Sequence, residues 1–409
     1  MMHATASESS APRLAANLVL FSVLATGMGQ SMTFALLAPL GREVGFGELQ
    51  VGLIITCSSL VFTLASPVWG RVCDRWGRKP ALLVGQFGYA LGCFLVALVF
   101  FGGLRGLLTG FPLYLLAISA RVLMAGLMSA APSAAAAYIA DTTSAGERTA
   151  GMGRLGAART LGAILGPALS GLLVALGLLA PLYIASGIAL LSALLLALIV
   201  REPVRQVAVR SSKGRLKLFD RRYFPFILVG VVTFLAFSMT SQTIGFYFQD
   251  RFVLDARATA QAIGMGLMAS AVMSLFAQTF VVRRRAMTPT RLLRTGLPIL
   301  LLGYAALLAA ASIPLLVAAM AVLGLGLGLV APGFTAGASL AVGPGEQGAV
   351  GGLVSACPAA GFVLGPLIGT SLYQLNPILP YLCGGLLMVP LFFYAWRIKL
   401  RPYNGDGPS

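Results

Sequence analysis

Apolar runs of bilayer length recur from one end of this sequence to the other, and little besides a membrane bundle accommodates them. Twelve runs are expected, at about residues 16–40, 49–70, 80–102, 112–140, 150–175, 179–200, 224–249, 258–282, 292–310, 313–341, 348–373 and 378–398. A helix needs about 20 apolar residues to cross the hydrocarbon core. Lipid offers no partner to a bare peptide group, so a spanning run must close its own hydrogen bonds. Only 10% of the 409 residues are charged and the mean hydropathy is +0.90. A soluble domain carries about 25% charged residues, so this chain has too little polar surface to cover itself. The expected fold class is all-α integral membrane, with twelve transmembrane helices.

The polar residues set the divisions. Residues 1–15 and 399–409 are expected as tails, 16–200 and 224–398 as two six-helix halves, and 201–223 as the linker between them. That linker, "REPVRQVAVRSSKGRLKLFDRRY", reads as a solvated segment near anionic headgroups. The first run follows a weakly basic start, and no small-residue cleavage site comes after it. It is therefore expected to be a retained helix and not a signal peptide.

A net charge of +17 raises the question of nucleic acid. The basic residues answer it, because they lie in short segments between apolar runs. With both termini placed in the cytoplasm, 22 of the 29 Lys and Arg residues fall on the inside, and only Arg42, Arg105, Arg251 and Arg257 fall outside. That bias is the usual topological signal. Five scattered cysteines form no CxxC, and the one histidine is His3. No metal site, disulfide framework or cofactor is expected.

The two halves repeat. Gly153, Gly162, Gly166 and Pro167 in the fifth run recur 199 residues later as Gly352, Gly361, Gly365 and Pro366, with Gly369 answering Ser170. "VLMAGLMSAAP" (Val122–Pro132) recurs as "VLGLGLGLVAP" (Val322–Pro332) at an offset of 200. Duplicated halves are a transporter architecture, with the substrate site near the midplane. Gly162, Gly166 and Ser170 share one helix face, and small faces let backbones approach closely in lipid. Pro167 withholds a hydrogen bond from the carbonyl of Ala163 and is expected to bend the helix. Gly171 ends the motif.

The segment "GRVCDRWGRKPALL" (Gly70–Leu83) resembles the major facilitator superfamily signature G-x-x-x-D-R-x-G-R-K/R. The fifth run resembles that superfamily's antiporter motif. Arg121 with "AYIADTTSAGER" (Ala137–Arg148), and "YFQDRFVLDA" (Tyr247–Ala256), are similar to its twelve-helix drug:proton antiporters, tetracycline-efflux proteins among them. The resemblance implies the major facilitator fold, alternating access and export. It also implies a cytoplasmic latch of Gly70, Asp74, Arg75, Gly77, Arg78, Lys79 and Asp141. Asp74 would lie near the start of the eleventh helix, Gly77 would permit a tight turn, and Arg78 would reach Asp141. On the superfamily's pattern, the fifth helix meets the eighth and the eleventh meets the second. Two departures stand out. The second-half loop "VVRRRAMTPTRLLRTG" (Val281–Gly296) lacks the Asp and Gly of the signature, so any latch there is degenerate. The first run carries no carboxylate.

All twelve acidic residues fall in loops or at run ends, whereas Arg121, Arg154 and Arg159 fall inside runs. An intramembrane charge is a functional hypothesis by default. Arg121 is expected to face a water-filled cavity and to bind substrate or couple transport; a structural pairing with helix carbonyls is the other reading. Arg154 can snorkel to the edge, and Arg159 is open between the two. Guanidinium groups without carboxylates suit an anionic or zwitterionic substrate. Further cavity candidates are Gln30, Ser31, Thr33, Ser238, Thr240, Ser241, Gln242, Thr243, Tyr247 and Phe334.

The expected function is a proton-coupled exporter of small organic molecules, such as a drug-like compound or a carboxylate siderophore. The proton would ride on Asp74, on Asp141 or on the substrate's own carboxylate. An importer or facilitator of an organic anion is the alternative. No catalytic set is present, so an enzyme is not expected. The protein is expected in a bacterial inner membrane, working as a monomer, with lipid, protons and a small molecule as partners.

Overall fold

The computed structural model describes residues 10–143, 147–203, 220–282, 287–343 and 346–398. His3, Arg283, Arg284, Arg285, the C-terminal tail and most of the linker lie outside the described residues. Among the described residues every regular element is helical, and twelve helical stretches are long and apolar enough to cross a membrane. They are α1 (Ser10–Glu43), α2 (Glu48–Trp76), α3 (Arg78–Leu104), α4a and α4b (Gly110–Met128, Ala130–Thr142), α5 (Arg148–Leu173) and α6 (Ala180–Ile199). Then come α7 (Phe224–Phe252), α8 (Ala256–Phe276), α9 (Pro289–Ala309), α10 (Ile313–Leu340), α11 (Gln347–Leu375) and α12 (Leu379–Arg397).

Several helices outrun the apolar segments that announced them, because helical hydrogen bonding continues past the hydrocarbon. The fourth span is broken at Ser129. Pro132 explains the break: it has no N–H for the carbonyl of Met128, and its ring crowds that turn. Pro167 does not break α5, which continues to Leu173 as one helix. Past Phe276, α8 widens into a π-helical turn over Ala277–Val282.

The chain divides into two compact units. One holds Met1–Ala208 with Ala256–Gly264, and the other holds Val209–Asp255 with Met265–Ser409. Each is built on the glycines of the repeat. In the first unit a Cβ on Gly162 would sit 2.5 Å from the Leu24 carbonyl oxygen and 2.9 Å from the Met28 nitrogen. One on Gly166 would overlap the Ser31 hydroxyl and the Met28 carbonyl. In the second unit a Cβ on Gly361 would meet the Phe234 carbonyl at 2.6 Å, and one on Gly365 the Ser238 side chain at 2.6 Å. Leu24 thus corresponds to Phe234 and Met28 to Ser238, both at an offset of 210. The duplication is legible in the contacts as well as in the letters.

The expected α5–α8 contact accounts for only one end of the motif. The Gly162–Gly166 face is occupied by α1, within its own unit, and the Gly361–Gly365 face by α7. Only the far end of the motif meets α8, where a Cβ on Gly264 would lie 2.6 Å from the Pro167 carbonyl and 3.3 Å from Gly171. Small residues four apart accept whichever helix crosses them closest. The spacing marks the face and not its occupant. Gly153 and Gly352 face open space.

Polar side chains inside each unit are tied to neighbouring helices. Gln86 of α3 is fully buried, donates to the Ser22 carbonyl at 2.8 Å, and accepts from Thr26 at 3.1 Å. Ser186 of α6 donates to the Ala90 carbonyl of α3 at 2.8 Å. Buried polar groups cost little once bonded in this way.

Candidate functional site

The turn between α2 and α3 is built around Gly77. Its φ of +110° lies where side chains are strained, and a Cβ there would meet the Glu202 carboxylate at 2.5 Å. Gly77 therefore does two jobs, reversing the chain and leaving room for an acid. Glu202 accepts the backbone N–H of Arg78 at 2.5 Å and of Lys79 at 2.8 Å. These are orphan donors of the first turn of α3, and a carboxylate suits that positive end. Lys79 donates its ammonium to the Ala197 carbonyl at 2.7 Å, so α6 and α3 are tied twice.

Arg78 then fans out. Its Nε donates to Asp141 at 2.8 Å, and one terminal nitrogen donates to Asp74 at 2.8 Å and to the Cys73 carbonyl at 3.1 Å. The Arg78 and Asp141 side chains are 11% and 10% exposed, whereas Asp74 is 73% exposed. The Arg78–Asp141 contact is thus the shielded arm of the cluster and the Asp74 contact the wet one. Gly70 has nothing near its Cβ position, and Arg75 is exposed. Glu202 is the member that sequence reasoning missed; its signal was an acid standing directly after a span, in "REP".

The second unit solves the same problem with different residues. Arg222 contacts Asp220 at 2.8 Å and grips both carboxylate oxygens of Glu346 at 3.0 Å, tying the start of α7 to the start of α11. Hydrogen bonding to Asp220, then to Glu346, holds the Arg222 guanidinium protonated even more firmly than usual.

Most of the expected cavity candidates are buried. Arg121 is 3% exposed. Its guanidinium lies 5.6 Å from the centre of the Phe34 ring and 3.9 Å from the Met124 sulfur, and its Nε is buried without a hydrogen-bond partner. It makes no bond to a helix carbonyl among the described residues. Phe34 and Met124 flank it. Tyr89, also buried, belongs to the same interior, with its hydroxyl set against Thr33 and Cys93. Thr33, Gln242, Tyr247 and Phe334 are likewise 5% exposed or less. Phe334 packs edge-on against Phe234, and Thr33 bonds the Gly29 carbonyl at 2.9 Å. A polar or aromatic letter in a span does not say which face of the helix carries it.

Ser31 is half-buried and spends its hydroxyl on carbonyls, including that of Gly162 at 3.3 Å. Ser241 bonds the Ser238 carbonyl at 3.2 Å. Gln30 is half-buried, and Arg154 and Arg159 are exposed along α5. Arg159 lies ten residues into the span Ala150–Leu176, about 15 Å by helical rise. It is the one exposed cation at such depth among the described residues of that helix.

The sequence matches the Major Facilitator Superfamily over residues 19–366. It is 27% identical to Multidrug resistance protein 1 of Bacillus subtilis (strain 168), over 83% of this chain and 85% of that one. It is 26% identical to Tetracycline resistance protein, class B, of Escherichia coli, over 94% of both chains. A crystal structure of the nucleoside transporter NupG superposes with a TM-score of 0.73 at 15% identity, covering 94% of this chain and 99% of that one. Twelve membrane-length helices, a duplicated glycine motif and a match along most of the chain lead to one assignment: this chain belongs to the Major Facilitator Superfamily and is an integral, multi-pass membrane transporter, not an enzyme.

Proposed function

We propose that this transporter is a proton-coupled exporter of small organic molecules, with anionic or zwitterionic compounds favoured. The observation that carries export is the similarity, along 94% of both chains, to a protein named for tetracycline resistance. The antiporter-type motif in α5 supports the same direction. On this reading the chain sits in a bacterial inner membrane with both termini cytoplasmic, and it works as a monomer. The Arg78–Asp141–Asp74 cluster is then the cytoplasmic latch, with Asp74 as its exposed, movable arm.

The charge preference rests on Arg159, exposed partway along α5, with Arg121 buried beside Phe34 of α1. Arg159 is the residue placed to meet a carboxylate, whereas Arg121, having no carboxylate in contact, acts in coupling. A carboxylate siderophore fits this chemistry, as does a zwitterionic drug. Proteoliposome transport of matched anionic, zwitterionic and cationic compounds tests the preference. Arg159→Gln lowers anion transport about tenfold, the worth of one charge-assisted hydrogen bond, and leaves cations within about twofold. Equal losses for both classes, or none, contradict the assignment. Import of an organic anion is the remaining alternative, and it is excluded by net accumulation inside inside-out vesicles.

A further inference from the structure

Asp250 stands in the last turn of α7, inside the membrane-length stretch Phe224–Phe252. From sequence it counted as a loop-side acid. In the structure it accepts a hydrogen bond from the Tyr373 hydroxyl of α11 at 2.7 Å, and Tyr373 is 3% exposed. Asp250 also heads a polar stripe. Thr240, Thr243, Tyr247 and Asp250 recur every three or four residues and therefore share one face of α7.

From Thr240 to Tyr247 that stripe faces inward, and it ends at Asp250, which is exposed. Thr240 and Thr243 are 4% and 0% exposed, and Tyr247 is 2% exposed. Thr240 donates to the Tyr304 hydroxyl of α9 at 3.3 Å. Tyr247 packs against Tyr381 of α12, with ring centres 4.8 Å apart. The Tyr247 hydroxyl is buried with no protein partner, and the buried Tyr381 hydroxyl is set against Thr243. Buried hydroxyls without a protein partner are the positions that ordered water fills. The stripe runs ten residues, about 15 Å along the helix axis, from Asp250 towards the middle of the second unit.

We infer that Asp250 is a coupling carboxylate of the second unit, that Tyr373 positions it, and that the Thr240–Thr243–Tyr247 stripe is its hydrated relay. This rests on the proton-coupled reading above and assigns that proton a residue on which the sequence had not placed it. The ionised carboxylate makes a charge-assisted bond to Tyr373, which is stronger than a neutral one. Uptake of a proton forms one O–H bond at a carboxylate oxygen and breaks one in hydronium, leaving water; nothing is oxidised or reduced. The charge assistance is then gone, and the tie between the ends of α7 and α11 loosens. The titratable and charged groups around Asp250 include Tyr373 from α11, Tyr381 from α12, and Tyr247 and Arg251 on α7 itself. Arg251 is engaged by the Ala310 carbonyl at 3.0 Å. The helix α10 carries no titratable side chain.

Val253 and Leu375, 91% and 78% exposed, mark the ends of the two helices and accept spin labels. The labels go on the full-length protein in lipid, with the half-exposed Cys57 and Cys383 replaced by serine; the probe is the proton. As the pH is raised from acid to alkaline, the wild-type interspin distance shifts from a longer to a shorter population. Asp250→Asn holds the longer population at every pH, a loss of about tenfold in the shorter one. Asp250→Glu restores the response, which a purely structural role does not predict. Tyr373→Phe depletes the shorter population about tenfold at neutral pH while melting as wild type. An Asp250→Asn protein that switches with pH as wild type does overturns the inference, and so does a wild type whose distance ignores pH. If transport nevertheless follows a pH gradient, proton coupling stands and only Asp250 falls. If transport ignores the gradient too, the coupling reading itself is lost.

Discussion

Replacing Gly166 with leucine lowers transport in proteoliposomes by about a hundredfold or more, while the protein still inserts and is purified in normal amounts. The expectation follows from what stands where the side chain would go. A Cβ at Gly166 overlaps the Ser31 hydroxyl and the Met28 carbonyl of α1. A backbone carbonyl in a helix cannot step aside as a side chain does. The overlap must instead push α1 and α5 apart, and forced overpacking costs about 1–3 kcal/mol or more. At about 1.4 kcal/mol per tenfold, that range reaches about a hundredfold. Insertion is spared because it depends on the hydropathy of each span, which leucine raises. Gly365→Leu has the same effect in the second unit, where the side chain meets Ser238. Gly153→Ala is the contrasting control. It meets nothing, so transport stays within about twofold. Wild-type transport by Gly166→Leu removes the close α1–α5 seat from any role in function.

Arg78→Gln has the second-largest effect, again about a hundredfold in transport. Glutamine keeps a donor but loses the charge and the reach to hold Asp141, Asp74 and the Cys73 carbonyl together. Asp141, only 10% exposed, is then left without its Arg78 partner. Breaking a buried pair from one side costs about 3–5 kcal/mol, and partial exposure sets this pair at or below the lower end. A shift of about 3 kcal/mol between two conformations changes their ratio by more than about a hundredfold. On the proposed latch reading the mutant rests with the cluster open, read as increased labelling of Cys73, which is 2% exposed beside Arg78. Asp141→Asn, which leaves Arg78 its bond to Asp74, loses less. Arg78→Lys restores little, because the two carboxylates are reached through different guanidinium nitrogens. A latch of wild-type labelling and activity in Arg78→Gln shows the cluster to be a fold-stabilising contact only.

The span count was legible because lipid imposes one simple requirement on every crossing: about 20 apolar residues. The repeat was legible because Gly and Pro are tolerated in a helix only for a reason. The Arg78–Asp141 pair was reached through the resemblance, since no local pattern joins two residues 63 apart. What the sequence left open has a common cause. Arg121, Tyr247 and Phe334 lie in spans that are apolar on every side, where periodicity no longer marks an inner face. Only tertiary packing decides that Arg121 turns towards Phe34. Glu202 was invisible for a different reason: its work is to cap α3, which its place after α6 does not disclose. Asp250 looked like a loop acid because α7 continues about three residues past its apolar run, and the two tyrosines that frame it lie more than a hundred residues away.

Export coupled to protons is most directly tested in inside-out vesicles given an acidic lumen and a panel of anionic and zwitterionic compounds. At least one compound accumulates in the lumen at about tenfold over equilibrium, the accumulation expected from one proton per substrate across one pH unit. An uncoupler abolishes the accumulation. Uptake that is the same with and without the gradient, or accumulation that follows the proton inward in right-side-out vesicles alone, contradicts a proton-coupled exporter.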